Sequence, residues 1–267
     1  MKRTKAFLLS FTITFCVMVI SFMAVYWFVG WSGQESVGKN QQGVPILSLT
    51  PEDTKTTLMV LDCSDAKFYF LLQLNAIQNR VNLVSVPADF YLSVSQRTLA
   101  ESMAYAGVRQ CVQDLSRQFD ISIDYHLVTD LAQLAKLMDG FGQLDTEKVA
   151  VPQSIKTYLL KSARYISVAT VLDGIAISPS LLDNSIGIEF LNLAGITLLQ
   201  TNLEKMETVA DNIRENYTAI NTDINTQDLD VIKRIIRLLK STQTEFGRLV
   251  VSLETDVQTE IDKLLKE

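Results

Sequence analysis

The run Val81 to Asp89, VNLVSVPAD, decides the fold. Val81, Leu83, Val84 and Val86 give it the near-continuous, β-branched apolar character of a strand buried on both faces. Pro87 has no amide hydrogen for a sheet ladder and ends the strand. Ligands of open α/β sheets gather just beyond such strand ends, so Ala88 and Asp89 stand where a site is expected. Upstream, Thr56 to Leu61 (TTLMVL), ending at Asp62, and Phe68 to Leu74 (FYFLLQL) read as two more strands, with Asn75 to Arg80 as a polar turn. Three consecutive strands make a sheet.

Downstream the period changes. Leu99, Met103, Val108, Val112 and Leu115 recur at three- to five-residue intervals, which predicts one helix or two short ones between Arg97 and Gln118. Asp120 to Val128 returns to strand character. Leu131, Leu134, Leu137 and Met138 then share a helical face that Gly140 and Gly142 close. This alternation predicts an α/β layer architecture. Ile155 to Ala163 reads as helical, and Phe190 to Met206 as a long helix that is apolar all round and therefore buried. A further helix follows Thr222, with Asn225 or Thr226 as N-cap, acids in its first turn and bases in its last. Leu249 to Leu253 is expected as a closing strand and Thr255 to Leu265 as a terminal helix.

The N-terminus reads differently. Ala6 to Trp31 holds no charged residue over 26 positions. At about 1.5 Å per residue that exceeds the roughly 30 Å hydrocarbon core of a bilayer. Lys2, Arg3 and Lys5 precede this span and no base follows until Lys39, so residues 1–5 are expected in the cytoplasm and the rest outside. Tyr26, Trp27 and Trp31 mark its outer end. The run is too long for the h-region of a cleaved signal peptide, which makes it an uncleaved anchor. Residues 32–51, rich in Gly and Ser and without hydrophobic period, then form a linker to a single domain over residues 52–267.

Beyond the span the chain carries 30 acids against 21 bases. Such a surface repels phosphate polymers, and nucleic acid is not expected as a partner. Cys63 and Cys111 lie outside the membrane, either joined or as two buried thiols, and no zinc spacing occurs. His126, the only histidine, reads as a strand residue beside the core, so histidine-based nucleophilic catalysis is not expected.

The order anchor, linker, LMVLD, FYFLLQLNAIQNRVNLVSVPADF, MAYAG, DISIDYHLVTDLAQLAKLMDGFG and INTDINTQDLDVIKRI resembles the LytR-CpsA-Psr (LCP) family of bacterial cell-envelope proteins. The resemblance covers about Thr56 to Gly142 and resumes near Ile220. It implies an extracellular α/β/α sandwich with a mixed central sheet and a deep apolar pocket for the polyprenyl tail of a pyrophosphate-linked glycan. It also implies transfer of the phospho-glycan from that lipid to peptidoglycan. The family's arginine-aspartate pair after the strand-ending proline is Ala88 and Asp89 here, and its earlier arginine-serine-aspartate falls on Asp65, Ala66 and Lys67. A family lysine and asparagine correspond to Ala100 and Ser102. The later arginine cluster is missing: from Tyr165 to Ile213 the only base is Lys205.

Phosphoryl transfer depends on cations that position the phosphate and meet its developing charge, and alanine does neither. The leading expectation is therefore a membrane-anchored binding or scaffold member in glycopolymer assembly, a pseudoenzyme in the plasma membrane. One alternative is a working transferase built on Asp89 and Lys67, with Arg97 and Arg109 binding the ligand. Asp62 and Asp89 would then hold Mg2+, which is expected only if the site is active. A second alternative is an interaction module without a ligand pocket. The expected partners are the membrane, a polyprenyl-linked glycan or peptidoglycan, and envelope-synthesis proteins.

Overall fold

The computed structural model describes residues 38–39, 45–46, 49–63, 66–149, 164–177, 185–251 and 257–266. It divides into two compact units, Met1–Leu49 and Thr50–Glu267. In the first, β1 (Gly38–Lys39) pairs antiparallel with β2 (Pro45–Ile46) inside the stretch read as linker. The expected anchor, the helix expected at Ile155 to Ala163 and Asp65 lie outside the described residues. Among the described residues no helix is long and apolar enough to cross a membrane.

The second unit is built on a six-stranded sheet. Strands β3 (Thr54–Asp62), β4 (Lys67–Asn75) and β5 (Arg80–Val86) form its antiparallel centre. β8 (Tyr125–Asp130) adds parallel to β3, and β12 (Glu245–Val250) parallel to β5. β11 (Asn221–Thr222) closes the β8 side antiparallel, so the order is β11-β8-β3-β4-β5-β12 and the sheet is mixed. Every residue of β5 after Arg80 is buried, as its sequence requires of a strand covered on both faces.

Alternation along the strands splits the core in two. Leu58, Val60, Tyr69, Leu71, Val84 and Val86 face α1 (Leu99–Ala106), α2 (Val108–Phe119) and the C-terminal α8 (Val257–Ile261), which runs on as a π turn through Lys266. Leu61, Phe68, Leu74, Val81 and Leu83 face α3 (Leu131–Leu137), α4 (Val168–Ile177), α5 (Ser185–Asn202) and α7 (Thr226–Lys240). Helices on both faces make an α/β/α sandwich. Between α5 and α7 the chain forms a 3-10 turn (Leu203–Lys205) and α6 (Met206–Glu215). Two short hairpins, β6 (Tyr91–Leu92) with β7 (Arg97–Thr98) and β9 (Gln143–Asp145) with β10 (Tyr165–Ser167), complete the unit.

The element boundaries follow local chemistry. Of the one helix or two short ones expected between Arg97 and Gln118 the structure has two, separated at Gly107, which sits at φ 75°, a conformation that costs glycine nothing. Thr98 and Glu101 cap the first reciprocally. Asn225 is the N-cap of α7, accepting from the amides of Gln227 and Asp228 at 2.8 and 3.0 Å. The strand expected from Asp120 starts only at Tyr125, since Asp120 terminates α2 in the left-handed conformation at φ 50°. β12 starts four residues before the expected Leu249. Its first four residues, EFGR, include two charges and a glycine because the strand forms the sheet edge, where both are tolerated. The buried helix α5 begins at Ser185 and ends at Asn202 rather than spanning Phe190 to Met206. Asn192, fully buried in that apolar surface, donates to the carbonyls of Leu83 and Leu249 and to Ser85 Oγ, which fastens the helix across β5 and β12.

Candidate functional site

The sheet register gathers the residues marked by the sequence at one end. Asp62 closes β3 opposite Lys67, the first residue of β4, and the two side chains form an ion pair. Val86 closes β5 opposite Tyr69, so Ala88, two residues further, leaves the sheet beside Lys67. Asp89 stands exposed on the turn that follows, where the amide of Phe90 bonds the carbonyl of Pro87 at 3.1 Å. Asp62, Lys67 and Asp89 thus share one end of the sheet.

Ala88 and Ala100, the positions at which the resemblance implies cations, meet there. Ala100 donates its backbone amide to the carbonyl of Ala88 at 2.8 Å, and Leu99 to that of Phe90 at 3.0 Å. The start of α1 is therefore laid directly on the turn after β5, and the two alanines leave this contact without positive charge. Ser102, at the asparagine position, is fully buried and donates to Asp114 Oδ2 at 2.7 Å, while Gln110 donates to Oδ1 at 2.8 Å. This hydroxyl now serves the packing of α1 on α2.

The remaining expected residues are placed as follows. Arg97 is half-buried with its guanidinium 3.9 Å from the ring centre of Tyr105, a cation–π stack. Arg109 is exposed in the first turn of α2, beyond the far end of α1. His126 is buried in β8 with Nδ1 2.9 Å from Asp223 Oδ2, in the structural setting expected for it. Cys63 and Cys111 are both buried free thiols.

Asp62 and Asp89, the two carboxylates expected to hold magnesium, stand at the same end of the sheet. Mg2+ takes near-octahedral oxygen coordination, usually with water and one or two carboxylates. Here the Lys67 ammonium is seated on the Asp62 carboxylate. Among the described residues no group of three or more His, Cys, Asp or Glu side chains is placed to hold a metal.

Burial shapes the chemistry nearby. It pushes the Cys63 thiol up to about 11, helped by Asp62 and opposed by Lys67. The same burial, with Asp114 beside it, pushes Cys111 up to about 12. Tyr69, on the face that carries Asp62, is raised by burial, then by Cys111 and Asp62, and its hydroxyl has no hydrogen-bond partner among the described residues. No signal in the apolar run FYFLLQL distinguished this tyrosine from the core residues around it.

Beneath the opposite face lies an apolar cavity of about 190 Å3. Met59, Phe70, Leu72 and Leu83 form its sheet wall, and residues of α3, α4 and α5, Leu172 and Ala194 among them, close it. Gly195 faces Leu83 across it so closely that an added Cβ would lie 2.8 Å from Leu83 Cδ2. An engineered cavity of about 150 Å3 admits benzene, so this one takes a hydrocarbon group about the size of an isoprene unit. The sequence carried part of this signal, the alternation that puts Met59, Phe70 and Leu72 on one face.

A mixed six-stranded sheet between two helical layers, with an apolar cavity under one face, defines an α/β/α sandwich. The model of the LytR_cpsA_psr family matches residues 35–173, more than half of the sequence. The chain belongs to the LytR-CpsA-Psr family. No curated protein matches it. Among solved structures, a protein of Eubacterium siraeum described as a transcription regulator superposes with TM-score 0.64 at 18% identity, covering 87% of this chain and 99% of its own. TagT bound to LI-WTA gives 0.59 at 11% identity, over 83% and 95%. TagV of B. subtilis gives 0.56 at 13% identity, over 81% and 99%. At such identities these likenesses concern the fold alone.

Proposed function

We propose that this protein is a membrane-anchored, extracellular LytR-CpsA-Psr protein of cell-envelope glycopolymer assembly that binds a polyprenyl-linked glycan through its lipid and no longer transfers it. The observation that carries this reading is the contact between Ala88 and Ala100. Two of the positions at which the resemblance implies a cation converge on one 2.8 Å backbone hydrogen bond, and neither brings a charge. Lys67, the nearest base in the register, is engaged by Asp62, and Arg97 by Tyr105. The apolar cavity, in contrast, is kept, with room for a short stretch of a polyprenyl chain.

The chemistry follows from this division. A hydrocarbon tail gains about 0.8 kcal/mol per buried CH2 without any charged contact, so lipid retention survives the loss of the clamp. A pyrophosphate leaving group needs cations aimed at its oxygens, and each missing one costs orders of magnitude in rate. The protein would hold or present the lipid-linked glycan to envelope-synthesis partners.

A transfer assay tests this. The full chain in detergent micelles is mixed with a polyprenyl-pyrophosphate-linked glycan and peptidoglycan, with and without Mg2+. The lipid-linked glycan should stay intact and co-elute with the protein. Release of phospho-glycan at ordinary enzymatic turnover, about 1 to 1,000 per second, would sink the reading, and loss of that release in Asp89→Ala would assign it to the sheet end.

A further inference from the structure

Methionine is concentrated in the apolar cavity. Beyond residue 31 the sequence has four, Met59, Met103, Met138 and Met206. Met59, Met138 and Met206 line the cavity of about 190 Å3, and each reaches it from a different element: the middle of β3, the residue that caps the end of α3, and the first residue of α6. Met103 packs instead on the other face of the sheet, its sulfur 3.9 Å from Cys111 Sγ. Met206 is buried, but Met59 and Met138 are only half-buried, so the methionine wall is open to small solutes.

The rest of the lining decides what oxidation of these sulfurs does. Every other lining residue among those described is Leu, Phe, Val, Ala or Gly, so no side chain there can donate a hydrogen bond. A thioether suits such a wall, being apolar, polarisable and flexible. A sulfoxide does not: its oxygen is a strong acceptor, and burying it unpaired is unfavourable. The oxygen holds water in the cavity, and a hydrocarbon tail that must displace this water binds less tightly.

We infer that Met59, Met138 and Met206 form an oxidation site that controls occupancy of the cavity. The co-reactant is a hydroperoxide. A sulfur lone pair attacks its terminal oxygen, the O–O bond breaks as the S–O bond forms, and the departing oxygen takes the proton. The sulfur is oxidised to the sulfoxide and the peroxide reduced to water or an alcohol. A bound tail covers the same sulfurs, so occupancy and oxidation oppose one another. The inference rests on the reading of this cavity as a hydrocarbon site and adds the control of that site.

The test uses the full chain in detergent micelles with geranyl phosphate as probe and hydrogen peroxide as oxidant. Peptide mass spectrometry follows each methionine, and calorimetric titration gives the affinity. Saturating probe should slow sulfoxide formation at Met59 and Met138 by about fivefold or more and leave Met103 unchanged. The oxidised chain should keep its circular dichroism and bind the probe about tenfold more weakly or worse, and methionine sulfoxide reductases should restore the affinity. Leucine conserves the volume of methionine, so Met59→Leu/Met138→Leu/Met206→Leu should bind as the wild type does and keep its affinity after peroxide. Affinity that survives oxidation of the wild-type chain overturns the inference alone, as does an equal loss in the triple variant. Oxidation that unfolds the chain also overturns it, because the sulfurs then serve the core rather than the site. A reduced chain that binds no probe overturns both the inference and the reading beneath it.

Discussion

Replacing Ala194 with leucine pushes a side chain into the apolar cavity and separates two otherwise similar cores. Ala194 is buried on α5 and lines the cavity of about 190 Å3. Leucine adds three carbon atoms, worth about 2.4 kcal/mol at about 0.8 kcal/mol per buried CH2. Imperfect fit takes back about 1 kcal/mol or more. The expected net gain of about 1 kcal/mol raises the melting temperature by about 2–4 °C for a domain of this size. In a core without the cavity the same insertion costs about 1–3 kcal/mol and lowers it. The second half of the prediction concerns ligand. A polyprenyl phosphate at 100 times its dissociation constant stabilises the wild-type chain by about 2.7 kcal/mol, and this shift should disappear in Ala194→Leu. Differential scanning fluorimetry with and without lipid reads both. A fall of more than about 4 °C in the variant, or a lipid shift that persists unchanged, would refute the placement of the tail in this cavity.

Ser102→Ala leaves the buried Asp114 without its hydroxyl donor and should cost about 1–3 kcal/mol in urea unfolding; a loss under 0.5 kcal/mol would show that the bond contributes nothing to the packing of α1 on α2. Since burial pushes Cys63 and Cys111 up to about 11 and 12, neither should be alkylated by iodoacetamide at pH 8 in the folded chain, while both react in guanidinium; peptide mass mapping checks this. Burial opposes ionisation of Glu207, but hydrogen bonds from Lys240 and Arg237 outweigh it and hold its carboxyl below the ordinary value. Its folded pKa being the lower, the stabilisation is present above the unfolded value near 4.5 and is lost as pH falls through the folded one. Glu207→Gln should accordingly lower stability by about 0.2–1 kcal/mol at pH 7 and not at pH 2.5; an equal loss at both pH values would exclude the charge as its cause. Ala88→Arg returns a guanidinium to the turn after β5 and should tighten binding of a polyprenyl pyrophosphate at least tenfold; unchanged affinity would mean that this turn does not face the headgroup.

The centre of the sheet was readable because its three strands carry signals that need no tertiary partner. Val81 to Val86 is continuously apolar, and Pro87 can end a strand by itself. The same holds for α7, whose cap at Asn225 and charge gradient are local. β12 was misplaced because an edge strand is allowed glycine and charge, and its identity comes from β5 alongside it rather than from its own residues. The candidate site was readable only through the family resemblance, which marked Ala88 and Ala100 as positions without the implied cations. That these two positions touch was not, since the contact is made by the β6–β7 hairpin, which folds α1 back onto the end of β5. Buried polar residues were the least legible. Ser102, Asp114, Asn82 and Asn192 take their roles from partners as far as 182 positions away, which no local pattern encodes.

The most direct test of the central claim is a titration of the full chain, in detergent micelles, with a short polyprenyl pyrophosphate in the presence and absence of Mg2+. A protein that holds its ligand by the tail and has lost the phosphate clamp shows the same affinity with and without metal, and binds the corresponding monophosphate equally well. Binding that requires Mg2+, and that weakens on replacing Asp62 or Asp89 with alanine, would contradict the account and make the sheet end a working phosphoryl-transfer site.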